Sequence, residues 1–270
     1  MKMTFIGGGN MAIALIGGIL KEGIAPGDIQ VVEPLPEKRQ LLAETFGVFC
    51  VSGTDTAVWG SELVVLAVKP QQMQEALMPL AGRLTHQIVL SIAAGLTLET
   101  LSRWLGGYRR IVRAMPNTPA LIGAGMTGLC ALPEVALSER LAAERILGAV
   151  GAILWIEDEA MMDAVTAVSG SGPAYLFLFV EALQQAAEEL GFDAEAARRL
   201  AIETTLGASR LAAASDDPVA ALRERVTSKG GTTAAALEVM AQKGVAAGIV
   251  AGVKAAEARG RELAQQFGAA

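Results

Sequence analysis

A chain of 270 residues with a formal net charge of −6 is long enough to bury a large core, as one large domain or two ordinary ones. The acidity excludes a nucleic-acid partner, because phosphate binding needs a concentrated basic surface and the sequence has no basic run. The hydrophobic fraction of 52% would suit a membrane protein, yet no stretch approaches the roughly 20 uninterrupted apolar residues of a spanning helix, so no membrane partner is expected.

Much of the apolar content is Ala, Gly, Val and Leu, with only 4% aromatic residues. That balance suits closely packed helices and a broad subunit interface. Cys50 and Cys130 stand alone, without Cys or His at metal-ligand spacing, and the N-terminus enters a strand pattern without a signal peptide. No metal site is therefore expected, and the surroundings read as reducing and cytoplasmic. The single histidine, His86, lies ahead of an apolar run, where an exposed loop residue is expected.

Apolar runs of strand length occur at 3–6, 29–32, 48–51, 63–68, 88–92 and 111–114, with helical segments between them, the first over 11–20. That alternation is the pattern of a parallel sheet covered by helices on both faces. A glycine-rich segment at 123–132, a helix over 138–150 and a last strand at 152–156 follow. Helical runs then take over at 163–168, 174–190, 194–214, 220–226, 233–241 and 245–267, broken by glycine and proline at 169–173, 191, 217–218 and 230–231. The pattern predicts an α/β fold: an N-terminal Rossmann-like, doubly wound parallel sheet over 1–160, followed by an all-helical domain over 161–270. Several of the later helices are apolar on more than one face, as helices covered by a second subunit must be.

The first strand runs into Gly7, Gly8, Gly9, Asn10, Met11 and Ala12, a G-x-G-x-x-A pattern opening a helix. Gly7 makes the tight turn, Gly9 lets a pyrophosphate approach the backbone, and Ala12 lets helix pack on strand. An acidic residue is expected about 20 residues further on, to hold the adenosine ribose, and Glu33 closes the second strand. A carboxylate there repels a 2′-phosphate and favours NADH over NADPH, although Lys38 and Arg39 lie near enough to compensate in part. Three further motifs follow strands: Ala67-Val68-Lys69-Pro70, Ile92-Ala93-Ala94-Gly95, and Met115-Pro116-Asn117-Thr118-Pro119. In a doubly wound sheet such loops converge on one crevice.

With GGGNMA, LAVKPQ, SIAAG, RAMPNTP, AVSGSGPAY and VTSKGGTTAAALE in this order and at these spacings, the chain resembles the pyrroline-5-carboxylate reductases. The resemblance implies NAD(P)H-dependent reduction of 1-pyrroline-5-carboxylate to L-proline, the last step of proline biosynthesis. It also implies that the helical domain binds substrate and pairs with a second subunit as a homodimer, with higher assembly of dimers in some members. By position, Ile6 to Met11, Ala67 to Pro70 and Ile92 to Ala94 match the family's cofactor loops. Met115 and Asn117 match its nicotinamide surroundings, and Thr54 aligns with a further nucleotide contact. Ser228, Gly230, Gly231, Thr232 and Thr233 match the substrate carboxylate loop, with Thr233 as the threonine at the ring nitrogen. Many members place Asn-Arg or Ser/Thr with Arg after the second strand, whereas this chain has Glu33-Pro34.

The chemistry suits those residues. A carboxylate substrate needs an anion receptor of little bulk, and a helix N-terminus behind glycines supplies free N–H groups and a positive dipole end. Hydride attack on C=N is easiest when the nitrogen arrives protonated, so no strong general acid is required, and the Thr233 hydroxyl can accept the ring N–H. Rate then comes mainly from holding the imine carbon about 3–3.5 Å from the nicotinamide. Ser171, in Ser169-Gly170-Ser171-Gly172-Pro173, is read as a supporting residue at a helix start.

Two other classes fit less well. The β-hydroxyacid dehydrogenases use a lysine on a helix of their second domain, and this chain has no lysine between Lys69 and Lys229. A non-catalytic dinucleotide sensor would not need the 228–233 loop.

Overall fold

The computed structural model describes residues 1–54 and 58–268. The chain divides into two compact units, one from Met1 to Ser171 together with the chain from Ala256 on, the other from Gly172 to Ala255.

The first unit runs β1 (Met3–Ile6), α1 (Asn10–Lys21), β2 (Ile29–Val32), α2 (Pro36–Phe46), β3 (Phe49–Val51), β4 (Leu63–Leu66), α3 (Pro70–Leu77) and β5 (Ile88–Ser91). It continues through α4 (Leu98–Trp104), β6 (Ile111–Met115), β7 (Gly125–Ala131), α5 (Leu137–Gly148), β8 (Gly151–Trp155) and α6 (Met162–Val165). The eight strands form one sheet in the order β3-β2-β1-β4-β5-β6-β7-β8. Every neighbouring pair is parallel except β6 with β7.

Both faces of this sheet are buried, which explains the unbroken apolar runs. Successive side chains along a strand point to opposite faces, so Leu63 and Val65 of β4 join one core with α1 and α5 while Val64 and Leu66 join a second with α3 and α4.

Two elements depart from expectation. The glycine-rich segment 123–132 forms β7, antiparallel to β6. Gly125 and Gly128 serve close approach rather than turning: a Cβ on Gly128 would lie 2.6 Å from Val165 Cγ1, and one on Gly125 would lie 2.9 Å from the Val150 carbonyl oxygen. The run expected as a helix over 163–168 is α6 followed by a wider π-turn, Thr166–Gly170, closed by the Ser171 N–H on the Thr166 carbonyl at 2.8 Å.

The second unit is helical: α7 (Gly172–Glu189), α8 (Ala194–Ala213), α9 (Val219–Arg225), α10 (Thr232–Gln242) and the first part of α11 (Val245–Gly268). Among its described apolar side chains only Ala197 and Ala201 are buried within the single chain, while Leu176, Phe177, Leu178 and Phe179 on α7 are all exposed. The helical stretch Glu159–Glu189 is long and apolar enough, by length and composition, to cross a membrane. Counting uninterrupted apolar residues hides this, because glycines, hydroxyls and single charges interrupt the run.

A charge cluster around the buried Arg113 ties the first unit together. Arg113 of β6, 3% exposed, pairs with Glu159 at 2.8 Å and lies 3.9 Å from Asp163. Glu159 also accepts the N–H of Leu98, the first residue of α4, at 2.8 Å. Burial pushes the Asp163 carboxyl above its ordinary range; Arg113 and Arg261 pull it down, while Glu257 and Glu159 push it further up. A carboxyl whose folded pKa exceeds its unfolded one stabilises the fold below the unfolded value and loses that contribution as pH rises through the folded value. Asp163→Asn, which mimics the protonated form, should therefore raise Tm at pH 7, and the gain should fade as pH falls toward 4; thermal melts across that range check both signs.

Candidate active site

The neighbouring strands β1, β2, β4 and β5 end flush: Ile6 is level with Val32 and with Leu66, and Leu66 with Ser91. The ladder continues one residue further, with the N–H of Gly7 donating to the Val32 carbonyl at 2.8 Å, that of Ala67 to Ile6 at 2.8 Å and that of Ile92 to Leu66 at 3.1 Å. The loops after these strands therefore leave the sheet at one level. Strand order diverges between β1 and β4, the topological switch point where such sheets bind dinucleotides.

The glycine loop at that point is shaped as a cradle. Gly7 has φ +102°, and a Cβ on it would lie 2.8 Å from the Ala67 carbonyl oxygen and 2.9 Å from Val68 Cγ1. Only a glycine lets the β1 turn touch the β4 loop in this way. A Cβ on Gly9 would meet nothing within 4 Å, so this stretch of backbone is open for a ligand to approach. Gly9 caps α1 without any side-chain hydrogen bond, which leaves the first N–H groups of the helix, those of Asn10, Met11 and Ala12, turned to the loop as an anion site. Ala12 is fully buried where α1 meets the sheet. These features fit a dinucleotide pyrophosphate.

Glu33 is not a solvated loop carboxylate. It is 5% exposed, one of its oxygens accepts the Gly8 N–H at 3.0 Å, and the other accepts the Leu35 N–H at 3.1 Å. The side chain thus fastens the glycine loop to the β2–α2 turn. Arg39 donates through Nη1 to the carbonyls of Glu33 and Pro34, both at 2.7 Å, which holds its guanidinium on the turn, while Lys38 is exposed. Thr54 lies half-buried in the bend after β3.

The remaining loops of the first unit come from β4, β5 and β6. Ala67, Val68 and Pro70 are half-buried and Lys69 is exposed, and Pro70 opens α3 at its first turn. In the β5 loop Ala93 is buried between half-buried Ile92 and Ala94. Gly95, at φ +74°, turns this loop against the end of α11: a Cβ on it would lie 3.5 Å from Leu263 Cβ and from the Phe267 ring. Beyond β6, Asn117 Oδ1 accepts the Met126 N–H at 2.9 Å, and Nδ2 donates to the Ser169 carbonyl at 3.1 Å and reaches Ser169 Oγ at 3.4 Å. These partners on β7 and the π-turn were not legible in the sequence, since nothing at 126 or 169 marks them as neighbours of 117.

In the second unit, Thr227 to Gly231 turn into α10. Gly230 has φ +74°, a left-handed conformation that favours glycine. Gly231 donates its N–H to the Ser228 carbonyl at 3.0 Å, and a Cβ on it would lie 2.4 Å from Ser228 Oγ. Gly230 is thus favoured by its backbone conformation and Gly231 by its closeness to Ser228. Gly231 caps α10 without a side-chain bond, so the first N–H groups of the helix are free to meet an anion. Ser228, Lys229 and Thr232 are exposed and Thr233 is half-buried.

Neither cysteine is poised for nucleophilic chemistry. Burial pushes the Cys130 thiol up to about 12 and the Cys50 thiol up as well, so both stay protonated near neutral pH. His86 is an exposed loop residue, bonded through Nδ1 to the Thr85 hydroxyl at 3.0 Å.

A model for pyrroline-5-carboxylate reductase dimerisation matches residues 159–263, and one for NADP oxidoreductase, coenzyme F420-dependent, matches residues 2–95. A pyrroline-5-carboxylate reductase from Coxiella burnetii superposes with a TM-score of 0.90 at 39% identity, over 97% of this chain and 98% of that one. The Plasmodium falciparum pyrroline carboxylate reductase, solved with NADP bound, superposes with a TM-score of 0.88 at 29% identity, over 98% of each chain. A Mycobacterium tuberculosis 3-hydroxyisobutyrate dehydrogenase shares only the fold, at 15% identity and a TM-score of 0.51 over 71% of this chain and 66% of that one. Being 44% identical to the pyrroline-5-carboxylate reductase of Pseudomonas aeruginosa over 99% of its own length and 98% of that protein's, the chain belongs to the pyrroline-5-carboxylate reductase family.

Proposed function

We propose that the chain reduces 1-pyrroline-5-carboxylate to L-proline, the last step of proline biosynthesis, and that it draws the hydride from NADH in preference to NADPH. The observation that carries the substrate reading is the uncapped start of α10 behind the Ser228–Gly231 turn. Its free N–H groups and dipole match a carboxylate, and the turn adds no bulk beside it.

In this reading Gly7, Gly8, Gly9, Asn10 and Met11 hold the dinucleotide pyrophosphate, with Ile6, Ala67, Val68, Lys69, Pro70, Ile92, Ala93 and Ala94 lining the cofactor loops and Thr54 contacting the nucleotide. When bound, the reduced nicotinamide supplies the hydride. The Thr233 hydroxyl accepts the N–H of the protonated imine and fixes the ring, and Ser228, Gly230, Gly231 and Thr232 hold the carboxylate. The iminium already carries its proton, which agrees with a chain whose one histidine is exposed in a loop and whose thiols stay protonated. Thr233→Ala should lower kcat/KM by about tenfold, the loss of a hydrogen bond of ~1.4 kcal/mol, whereas Gly231→Ala, whose methyl collides with Ser228 Oγ, should act mainly by raising KM for the imine. Steady-state kinetics with wild-type values in both variants would remove the assignment.

The preference for NADH rests on Glu33, whose carboxylate is fixed at the end of β2 while Arg39 is engaged by the main chain. A 2′-phosphate there meets the fixed Glu33 carboxylate, and Arg39, held by two carbonyls of the turn, offsets that charge only in part. The P. falciparum relative binds NADP, so the cofactors need direct comparison: kcat/KM should be higher with NADH, and an order-of-magnitude advantage for NADPH would overturn the reading.

The bare α7 face, the near absence of buried apolar residues in the second unit and the dimerisation model over 159–263 together support a homodimer, with assembly of dimers open to it. Burial by a partner also accounts for the apolar stretch Glu159–Glu189 without a membrane. Sedimentation at micromolar concentration should give a dimer or an even multiple of the 27.9 kDa chain, and a monomer would contradict it. Both cysteines are free thiols, which supports a cytoplasmic setting.

A further inference from the structure

The π-turn Thr166–Gly170 comes from the AVSGSGPAY motif, to which the reaction so far assigns no task. Such turns inside helices recur at functional sites. Here the turn meets the end of β6 at two points. A Cβ on Gly170 would lie 2.7 Å from Met115 Cε, so the Met115 side chain rests on the bare Cα of Gly170. Two residues on, Asn117 bridges the turn to β7: its Nδ2 donates to the Ser169 carbonyl at 3.1 Å, and its Oδ1 accepts the Met126 N–H at 2.9 Å. The Ser169 hydroxyl reaches the Met126 carbonyl at 3.4 Å. A donor on one side and an acceptor on the other fix which way the amide faces, and both ends are committed to protein.

β7 is shaped to allow this. Gly128, paired in register with Met115, would drive any Cβ into Val165 Cγ1 at 2.6 Å. Two glycines on different elements therefore let α6 and the π-turn close on the end of β6. Arg113, two residues before Met115, is anchored below by Glu159. The segment Arg113–Asn117 is thus held at its start by an ion pair, at Met115 by a seat and at Asn117 by a hydrogen-bonded bridge.

We propose that Asn117 and Gly170 are positioning residues for the hydride transfer: they act through Met115, holding its side chain in one place beside the nicotinamide, and Asn117 does not itself bind the cofactor. This rests on the reading that Met115 lies at the nicotinamide. A residue that holds the reacting groups in register costs rate rather than affinity when it is lost.

The test measures kcat, KM for 1-pyrroline-5-carboxylate, Kd for NADH by fluorescence and the primary kinetic isotope effect with NADH deuterated at the transferred position, in Asn117→Asp, Gly170→Ala and Met115→Ala. Asn117→Asp keeps the acceptor toward Met126 and loses the donor toward Ser169, so it remains informative if Gly170→Ala does not fold. The expected result in both positioning variants is a kcat lowered about tenfold or more, an enlarged isotope effect, and KM and Kd within about twofold of wild type. Weakened NADH binding that accounts for the loss in Asn117→Asp would make Asn117 a cofactor ligand and overturn the proposal. Wild-type kcat and isotope effect in the positioning variants, beside an impaired Met115→Ala, would overturn it while leaving Met115 at the nicotinamide. An unimpaired Met115→Ala would remove the reading beneath it as well.

Discussion

The first unit depends on one constraint: parallel strands in flush register, each passing a backbone hydrogen bond to the loop of its neighbour. Gly7 to Val32, Ala67 to Ile6 and Ile92 to Leu66 are the same bond repeated across the sheet. A one-residue slip of any strand would invert its faces, send the apolar set of one core into the other and lift its loop from the common level. The loops after these strands are arranged by the ladder before any side chain contributes. What the side chains add is closeness, chiefly by being absent: Gly7 against Ala67, Gly128 against Val165, Gly170 against Met115.

Charge inside this unit is used for fastening. Glu33 joins two loops through two N–H groups, Arg39 stitches the next turn, and Arg113 joins β6 to Glu159, which in turn receives the first N–H of α4. Buried charges of this kind add little net stability against apolar replacements but penalise the wrong arrangement heavily. They suit a scaffold whose loops must sit at fixed places. The second unit follows the opposite logic: it leaves its apolar helix faces bare within one chain, as helices do when their core is completed by another copy.

Much of this was legible in the residues. Strand and helix positions followed from unbroken apolar runs and their spacing, because a parallel sheet buries both faces and cannot alternate. Gly7, Gly9, Ala12 and the Gly230-Gly231 break announced themselves because a tight turn or an open helix end restricts the residue type severely. β7 was hidden, since its glycines at 125 and 128 look like loop glycines although they serve packing. The π-turn was hidden too: one extra residue in a helical turn leaves no trace in periodicity over so short a run. For Glu33 the sequence indicated the place and the charge, yet its burial against Gly8 and Leu35 depends on how two loops meet.

The sequence by itself determined the family, the kind of fold, and where glycines break strand and helix patterns, because local backbone demands and ordered motifs are properties of neighbouring residues. Only the tertiary structure decided that Asn117 faces Met126 and Ser169, that Met115 rests on Gly170 and that Arg39 is committed to its own turn. Those are contacts between residues far apart in the chain or between side chain and a particular carbonyl. They come into being when the sheet register and the packing of glycine surfaces bring the elements together.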